Sequence, residues 1–466
     1  MDNVIFALLV LIGVAMSVLT FVRPTMGFVA VLVMFPFEVG LQSFKPALIL
    51  SYPWAVNLGV ALVAGLAAGL CFTQRKRPLA GLSNPATWLF VGLYGWMLLT
   101  FFWTPTFDAA MYFLKLGWPY MVLLYFITPL LISSIEDLDE IIRPFLILSF
   151  LVAICVFLNP QAGFFRGRLT IELGYVAGVG EINSNPLALS ELGALLAIVA
   201  GLYRGRTKSV LMLAFQVVAF TVGMGFALAA GSRGQVLAAA GVLVVGYPLL
   251  AERRNFMSIL TIGIGGIIVS AVIATLYLFL FSGVEDTRWS GTALEQGAGD
   301  RLGFITALLE GDTGRPAFWI LGLGARGFNQ FFRAPESDFP FHYPHNIFVE
   351  SLAEYGLIGL ALLMGICFVC AMQWSRLYRA VGKDNNTRSL CTILLALTIF
   401  QFLMSLKQGA LLNAPLLFTF TLIVGKLATR AEGDRHGQHA DVGGPDDEEI
   451  EKLQIAYAEG DPRGAS

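Results

Sequence analysis

The chain has 466 residues, of which 56% are hydrophobic and 13% are charged, and its mean hydropathy is +0.73. A soluble domain averages about 25% charged residues, so this composition excludes an ordinary soluble protein and is typical of a membrane protein. The formal net charge of -2 supplies no basic field, which argues against nucleic acid as a partner.

Apolar runs of the length that crosses a bilayer recur along the whole chain. They predict spans at residues 4–22, 26–40, 54–72, 86–103, 111–131, 141–158, 186–203, 209–230, 235–250, 257–282, 346–374, 389–406 and 411–427. The predicted fold class is an all-α polytopic membrane protein with about 12 to 14 transmembrane helices and one large loop. Prolines and charges between residues 23 and 53 leave either one kinked span or two short spans open there.

The predicted spans divide the chain into four parts. Residues 1–282 carry the N-terminal transmembrane helices, residues 283–344 form a periplasmic loop or lid, residues 345–428 carry the C-terminal transmembrane helices, and residues 429–466 form a tail. The loop is much longer than the ~15 residues beyond which loops are usually functional or disordered. The tail is acidic and poor in apolar residues, which predicts a disordered cytoplasmic segment.

Basic residues fall on alternate connections between the spans, at residues 75–77, 204–208, 252–254 and 376–388. The positive-inside rule places those connections in the cytoplasm. The long loop and the start of the span that follows it then lie on the opposite, extracytoplasmic side.

Cysteines introduced at Ser337 and Asn385 test this topology. Because the two positions flank a span whose far end is basic, we expect a membrane-impermeant maleimide to label Ser337→Cys in intact cells. Asn385→Cys should be labelled only after the membrane is permeabilised. Labelling of both positions in intact cells would contradict the assigned side.

The five cysteines lie within or at the ends of apolar runs, so they indicate no disulfide framework. Cys367 and Cys370 have the spacing of metal ligands but lie inside a predicted span, where packing is the favoured interpretation. No phosphate-binding glycine loop is present. We therefore predict no metal and no cofactor.

The span that follows the long loop opens with unusually polar residues. Pro344 suits the first turn of a helix, which predicts a helix start at His345 and Asn346. A straight helix of about 29 residues from there would be ~43 Å long, against ~30 Å of hydrocarbon. Because Arg376 marks the far end, the excess should carry His345, Asn346 and Glu350 to the water interface. The N–H groups at such a helix start suit an anion.

Several arginines fall on the extracytoplasmic side, where the positive-inside rule predicts few: Arg166, Arg168, Arg233, Arg288, Arg301, Arg315, Arg326 and Arg333. The planar guanidinium fork matches phosphate oxygens. Arg233 stands out because it joins two apolar helices, where an unpaired charge is costly. The alternatives are that Arg233 snorkels or pairs with a carboxylate, and that the loop arginines form a solvated face.

Histidine titrates near neutrality and can remove a proton from a hydroxyl group. His345 is therefore a candidate general base, and the alternative is a histidine that only hydrogen-bonds the helix start. His342 is a candidate secondary contact. Glu350 and Glu354, one turn apart, either pair with arginines or orient His345 or the substrate.

At these residues the sequence resembles the O-antigen ligase family, polytopic GT-C-type glycosyltransferases that also include O-antigen polymerases and some protein O-oligosaccharyltransferases. His345-Asn346, followed after nine residues by Gly356-Leu-Ile-Gly359, is similar to the family signature. The supporting matches are Ser232-Arg233-Gly234, Arg301, Gly322-Leu-Gly324 and, more weakly, Arg168 followed by Asn185-Pro186. The resemblance covers residues 160–375 by motif and the whole chain by hydropathy.

The resemblance implies metal-independent transfer of a glycan from an undecaprenyl-diphosphate donor to a hydroxyl of a glycan, lipid A core or protein. It places the enzyme in surface polysaccharide (lipopolysaccharide) biosynthesis, in the bilayer of the bacterial inner membrane, with the active site facing the periplasm. Opposite-face attack would invert the anomeric centre. The predicted site consists of His345 as the catalytic base, Arg233, Arg168 and Arg301 on the diphosphate, and Asn346, Glu350 and His342 as substrate contacts.

Two other functions stay open from the sequence. A polysaccharide polymerase of the same superfamily shares the donor chemistry and differs only in its acceptor. A transporter or channel for an anionic lipid or solute is the second, although no duplicated pattern of broken helices is visible. A cavity that opens sideways to lipid would favour the enzyme, and a through-going path would favour transport.

Overall fold

The computed structural model describes residues 2–45, 54–74, 79–165, 168–176, 180–205, 209–250, 308, 318–328, 344–381, 384–408, 411 and 414–443. Its helices are α1 (Asp2–Val22), α2 (Met26–Phe44), α3 (Ala55–Gln74), α4 (Pro85–Phe102), α5 (Phe107–Leu131), α6 (Ile135–Phe157), α7 (Pro186–Leu202), α8 (Val210–Ala229), α9 (Arg233–Leu250), α10 (Phe318–Leu321), α11 (Ile347–Ala380), α12 (Asn385–Gln408) and α13 (Pro415–Gly443). The last turn of α4 is a 3₁₀ turn, and α5 contains a π-helical turn at Val122–Ile127.

Within the described ranges, nine helices are long and apolar enough to cross a membrane, and Pro186–Leu202 and Gly234–Leu250 are shorter apolar helices. These helices confirm the prediction of a helical, multi-pass membrane protein in contact with a lipid bilayer. Residues 26–44 form a single helix with Pro36 inside it. The predicted span 257–282 and most of the loop 283–344 lie outside the described residues. Helix α13 continues to Gly443, past the predicted boundary at residue 428.

A small antiparallel sheet, which the all-α prediction did not include, occupies the connection between α6 and α7. Its strands are β1 (Ala162–Phe165), β2 (Arg168–Val176) and β3 (Gly180–Asn183), in the order β1-β2-β3. Phe165 pairs with Arg168 and Glu172 with Asn183. The strands are too short to produce a strong apolar run, so a search for spans passes over them.

Polar contacts collect at two opposite ends of the helix bundle. At one end, the Arg204 N–H donates to Ser389 Oγ at 2.8 Å, and Arg430 donates to the Ser133 carbonyl oxygen at 2.7 Å. This end contains the described basic connections.

At the other end, which we call the upper end, Thr104 Oγ1 donates to the Ala325 carbonyl oxygen at 2.6 Å and Lys407 Nζ donates to Ser232 Oγ at 3.4 Å. The upper end therefore brings together the connections α4–α5, α8–α9 and α12–α13 with the described segments 318–328 and 344–346. These are connections that the alternation of basic loops predicts to be extracytoplasmic.

Candidate functional site

Helix α11 begins at Ile347, directly behind Asn346, within two residues of the predicted start. Asn346 Oδ1 accepts the N–H groups of Phe348 at 2.9 Å and Val349 at 3.2 Å. An asparagine in this position is a favourable N-cap. Two of the N–H groups that were expected to receive an anion are thus occupied by the protein itself. Asn346, which the sequence predicts as a substrate contact, therefore forms the N-cap of α11.

His345 lies immediately before this cap, with a backbone φ of 54°. The left-handed conformation is uncommon for a residue with a Cβ atom. Conformations of this kind cost of order 1–3 kcal/mol, and they cluster at active sites and ligand clamps, where the surrounding structure holds them. The side chain of His345 is half-buried. His342, the second histidine of the predicted site, lies outside the described residues.

Helix α11 is 34 residues long but is not the straight helix that the sequence predicted. Gly356 has φ 66° and ψ -167°, so the helix is interrupted there. The interruption separates a short first segment, Ile347–Tyr355, from the longer part that ends at Ala380. His345 is therefore attached to a short helix with its own contacts.

The interruption exposes backbone carbonyl groups, which must find partners when they are buried. The N–H groups of Leu323 and Gly324 donate to the carbonyl oxygens of Ala353 and Glu354, each at 2.9 Å. Trp96 Nε1 donates to the Tyr355 carbonyl oxygen at 2.8 Å. The segment that begins at Gly322 and the indole of α4 thus replace the lost helical hydrogen bonds.

Glycines at 322 and 356 make this contact possible. A Cβ on Gly356 would clash with the Ile320 carbonyl oxygen and lie 2.7 Å from the Gly322 nitrogen. A Cβ on Gly322 would clash with the Glu354 carbonyl and lie 2.6 Å from the Gly356 nitrogen. Gly322 also has a positive φ, of 77°. Two glycine motifs that are separate in the sequence therefore face each other in the fold.

Two buried carboxylates lie on the short first segment of α11. Glu350 and Glu354 are each 1% exposed. Glu350 Oε2 accepts the Leu411 N–H at 2.7 Å, and Glu354 Oε2 accepts the Arg326 N–H at 2.8 Å. Glu350 was expected to be exposed at the water interface, and its burial against Leu411 contradicts that exposure. Its role in the fold is to hold the α12–α13 connection.

Arg326 is the buried cation beside these carboxylates, although the sequence indicated it only as one of several loop arginines. It is 5% exposed, it has φ 60°, and its guanidinium carbon lies 3.7 Å from the centroid of the Phe113 ring. Its charge acts on both Glu350 and Glu354. In the sequence, nothing separates Arg326 from the other loop arginines.

Arg233 is the first residue of α9, as the sequence predicted for the junction of two apolar helices. Ser232 before it is 1% exposed and accepts a hydrogen bond from Lys407. A Cβ on Gly234 would lie 2.6 Å from Lys407 Nζ, so the lysine side chain lies against the first turn of α9. Earlier on the same helix, α12, the centroid of the Phe402 ring lies 5.8 Å from that of the Phe348 ring. Helix α12 thus lies between the start of α9 and the start of α11.

Arg168 lies on the sheet, as the first residue of β2. Its Nε atom is buried and has no hydrogen-bond partner in the described part of the chain. The sheet leads to α7 through Ser184, whose Oγ accepts the Ile171 N–H at 2.8 Å. Gln235 in the first turn of α9 then donates to the Leu187 carbonyl oxygen at 3.1 Å. The fold thereby connects the sheet to the helix that Arg233 begins, whereas Arg301 lies outside the described residues.

The described part of this end combines a histidine before a helix with cationic residues on neighbouring elements. Such a set can accept a proton and stabilise an anionic leaving group. Among the described residues, no three His, Cys, Asp or Glu side chains are grouped to hold a metal ion. A scan against protein-family models and a search of curated proteins find no match to this chain.

Proposed function

We propose that this protein is a membrane glycosyltransferase of the O-antigen ligase type, which transfers a glycan from an undecaprenyl-diphosphate donor to an acceptor hydroxyl at the periplasmic face of the bacterial inner membrane. The observation that carries the proposal is the strained backbone of His345, directly before the cap of α11 and at the same end of the bundle as Arg233. Strained backbone conformations of this kind cluster at active sites and ligand clamps.

In this proposal, arginine side chains bind the glycan donor. Arg233, with Arg168 or Arg301, binds the diphosphate of the lipid carrier, because guanidinium groups form paired hydrogen bonds with phosphate oxygens. When the bond between the anomeric carbon and the diphosphate oxygen breaks, negative charge develops on the diphosphate. Positive charge already held in place lowers the energy of that transition state.

In this proposal, His345 activates the acceptor hydroxyl. Its imidazole takes the proton of the acceptor hydroxyl, and the hydroxyl oxygen attacks the anomeric carbon on the face opposite the diphosphate. The new glycosidic bond forms with inversion, and the lipid diphosphate leaves. General base catalysis of this kind is typically worth 10²–10⁴-fold in rate.

A reconstituted transfer assay tests the proposal through Arg233. Purified protein in liposomes is given an undecaprenyl-diphosphate-linked glycan and a hydroxyl acceptor, and the glycan that becomes attached to the acceptor is measured. Arg233→Lys keeps the charge but loses the fork, and losing a hydrogen bond to a charged group costs about 1.5–3 kcal/mol. We expect transfer to fall roughly 10- to 100-fold with normal expression.

Arg376→Lys is the matched control, because Arg376 pairs with Glu432 at the opposite end of the bundle. It should transfer at the wild-type rate. Wild-type activity in Arg233→Ala would remove Arg233 from the site, and absence of transfer by the wild-type protein from any lipid diphosphate donor would refute the proposed function.

The acceptor separates a ligase from a polymerase. Deletion of the gene should leave long glycan chains on the lipid carrier if the protein is a ligase. Single repeats attached to lipid A after deletion would instead identify a polymerase.

A further inference from the structure

The short first segment of α11 is attached to the rest of the molecule by buried polar contacts on several sides. At its lower end, Glu354 accepts the Arg326 N–H, and the adjacent carbonyl groups accept hydrogen bonds from Leu323, Gly324 and Trp96. In its middle, Glu350 accepts the Leu411 N–H. The segment is therefore oriented by these contacts and not by continuity with the helix below Gly356.

The position of His345 is sensitive to the orientation of this segment. From Gly356 to His345 the helical distance is ~16 Å at ~1.5 Å per residue. A tilt of only ~4° at Gly356 would therefore displace His345 by ~1 Å. A misplacement of ~1 Å from a distant change can cost ~10²-fold in rate.

Stability alone does not account for the charges at this place. Glu350, Glu354 and Arg326 are 1%, 1% and 5% exposed, so three ionisable groups lose nearly all of their contact with water. Burying charges carries a desolvation penalty that apolar side chains of similar volume avoid. What a buried charged network can supply instead is one preferred geometry, because its hydrogen bonds are directional.

We infer that Glu354 is a positioning residue, which through its contact with Arg326 fixes the segment Ile347–Tyr355 and thereby the site of His345. Its consequence for catalysis rests on the proposed function, whereas its effect on the position of residue 345 does not. Glu354 acts through the helix and touches no substrate in this scheme.

The first experiment measures position without activity. His345→Cys is combined with Glu354→Ala or Glu354→Gln, and the rate of reaction with a membrane-impermeant maleimide is compared with that of His345→Cys alone. Since loosening a segment raises its local opening, Glu354→Ala should change the rate by about threefold or more. Glu354→Gln keeps an oxygen that accepts the Arg326 N–H, so its rate should lie closer to that of the parent.

The second experiment measures transfer per folded molecule in proteins that retain His345. Glu354→Ala should lower kcat ~10²-fold while KM for the lipid-linked donor stays within about twofold, and Glu354→Gln should recover most of the loss. A merely structural residue would lower the yield of folded protein and leave kcat unchanged. Glu432→Ala, at the exposed pair with Arg376, is the matched control and should change neither readout.

The outcomes separate the two proposals. Unchanged maleimide rates in both Glu354 variants would overturn the positioning role even if the wild-type protein transfers glycan. If the Glu354 variants change the maleimide rate but the wild-type protein transfers no glycan, the positioning role is retained and the proposed function is refuted. Should Glu354→Ala fail to fold, Glu354→Met takes its place in both assays, because methionine fills a similar volume and offers no oxygen to the Arg326 N–H. Unchanged rates and kcat in Glu354→Met would then overturn the positioning role.

Discussion

Replacement of His345 by alanine is expected to abolish glycan transfer, with a loss of 10²–10⁴-fold, while the protein still binds the lipid-linked donor. The loss follows because the proposed general base before α11 would be removed, whereas the cationic residues of α9 and the sheet would be untouched. The measurement is single-turnover transfer in liposomes together with retention of the donor on the purified protein. His342→Ala should cost less.

His345→Asn separates the chemistry from the backbone. Asparagine tolerates the left-handed conformation that His345 adopts, so this variant keeps the turn and loses the base. It should fold like the wild-type protein and be as inactive as His345→Ala. Transfer within about threefold of wild type in either variant, far below the effect of a general base, would reduce His345 to a structural residue at the helix start.

Replacement of Gly356 by alanine is expected to be strongly destabilising. A Cβ there clashes with the Ile320 carbonyl oxygen and approaches its carbon to 2.5 Å, and the φ of 66° is itself unfavourable for alanine. With ψ -167° this conformation is adopted almost only by glycine and costs another residue of order 1–3 kcal/mol, and overpacking typically costs 1–3 kcal/mol, so a loss of roughly 3 kcal/mol is expected. Thermal unfolding in detergent measures it.

Gly322→Ala probes the opposite side of the same contact and should be destabilising to a similar degree. Because both substitutions separate the same two backbones, the double variant should lose less than the sum of the single losses. Gly95→Ala is the control, since Gly95 is helical and an added Cβ meets no atom within 4 Å. A Gly356→Ala protein as stable as Gly95→Ala would show that the two segments do not meet in this way.

The sequence by itself predicted a multi-pass helical membrane protein and the approximate ends of most of the described helices. Length and apolarity are local properties, so a run such as residues 4–22 predicts its helix without any knowledge of its neighbours. The start of α11 was likewise local, because Pro344 and Asn346 act on the residues beside them. The alternation of basic connections was sufficient to predict that α9 and α11 begin at the same end of the bundle.

The tertiary structure alone decided which polar residues are buried and what they hold. The sequence around Glu350 predicts a side chain exposed at the water interface. In the fold this side chain is buried, and it accepts a hydrogen bond from Leu411, which is 61 positions away. The partner of Glu354 is 28 positions away, and Trp96, which donates to the Tyr355 carbonyl oxygen, is 259 positions away. The sequence predicts Gly356 as an ordinary glycine inside a helix, whereas in the structure it interrupts the helix and lies against Gly322. Contacts of such separation depend on how helices pack and not on local periodicity, so the interrupted helix and the role of Arg326 emerged only with the fold.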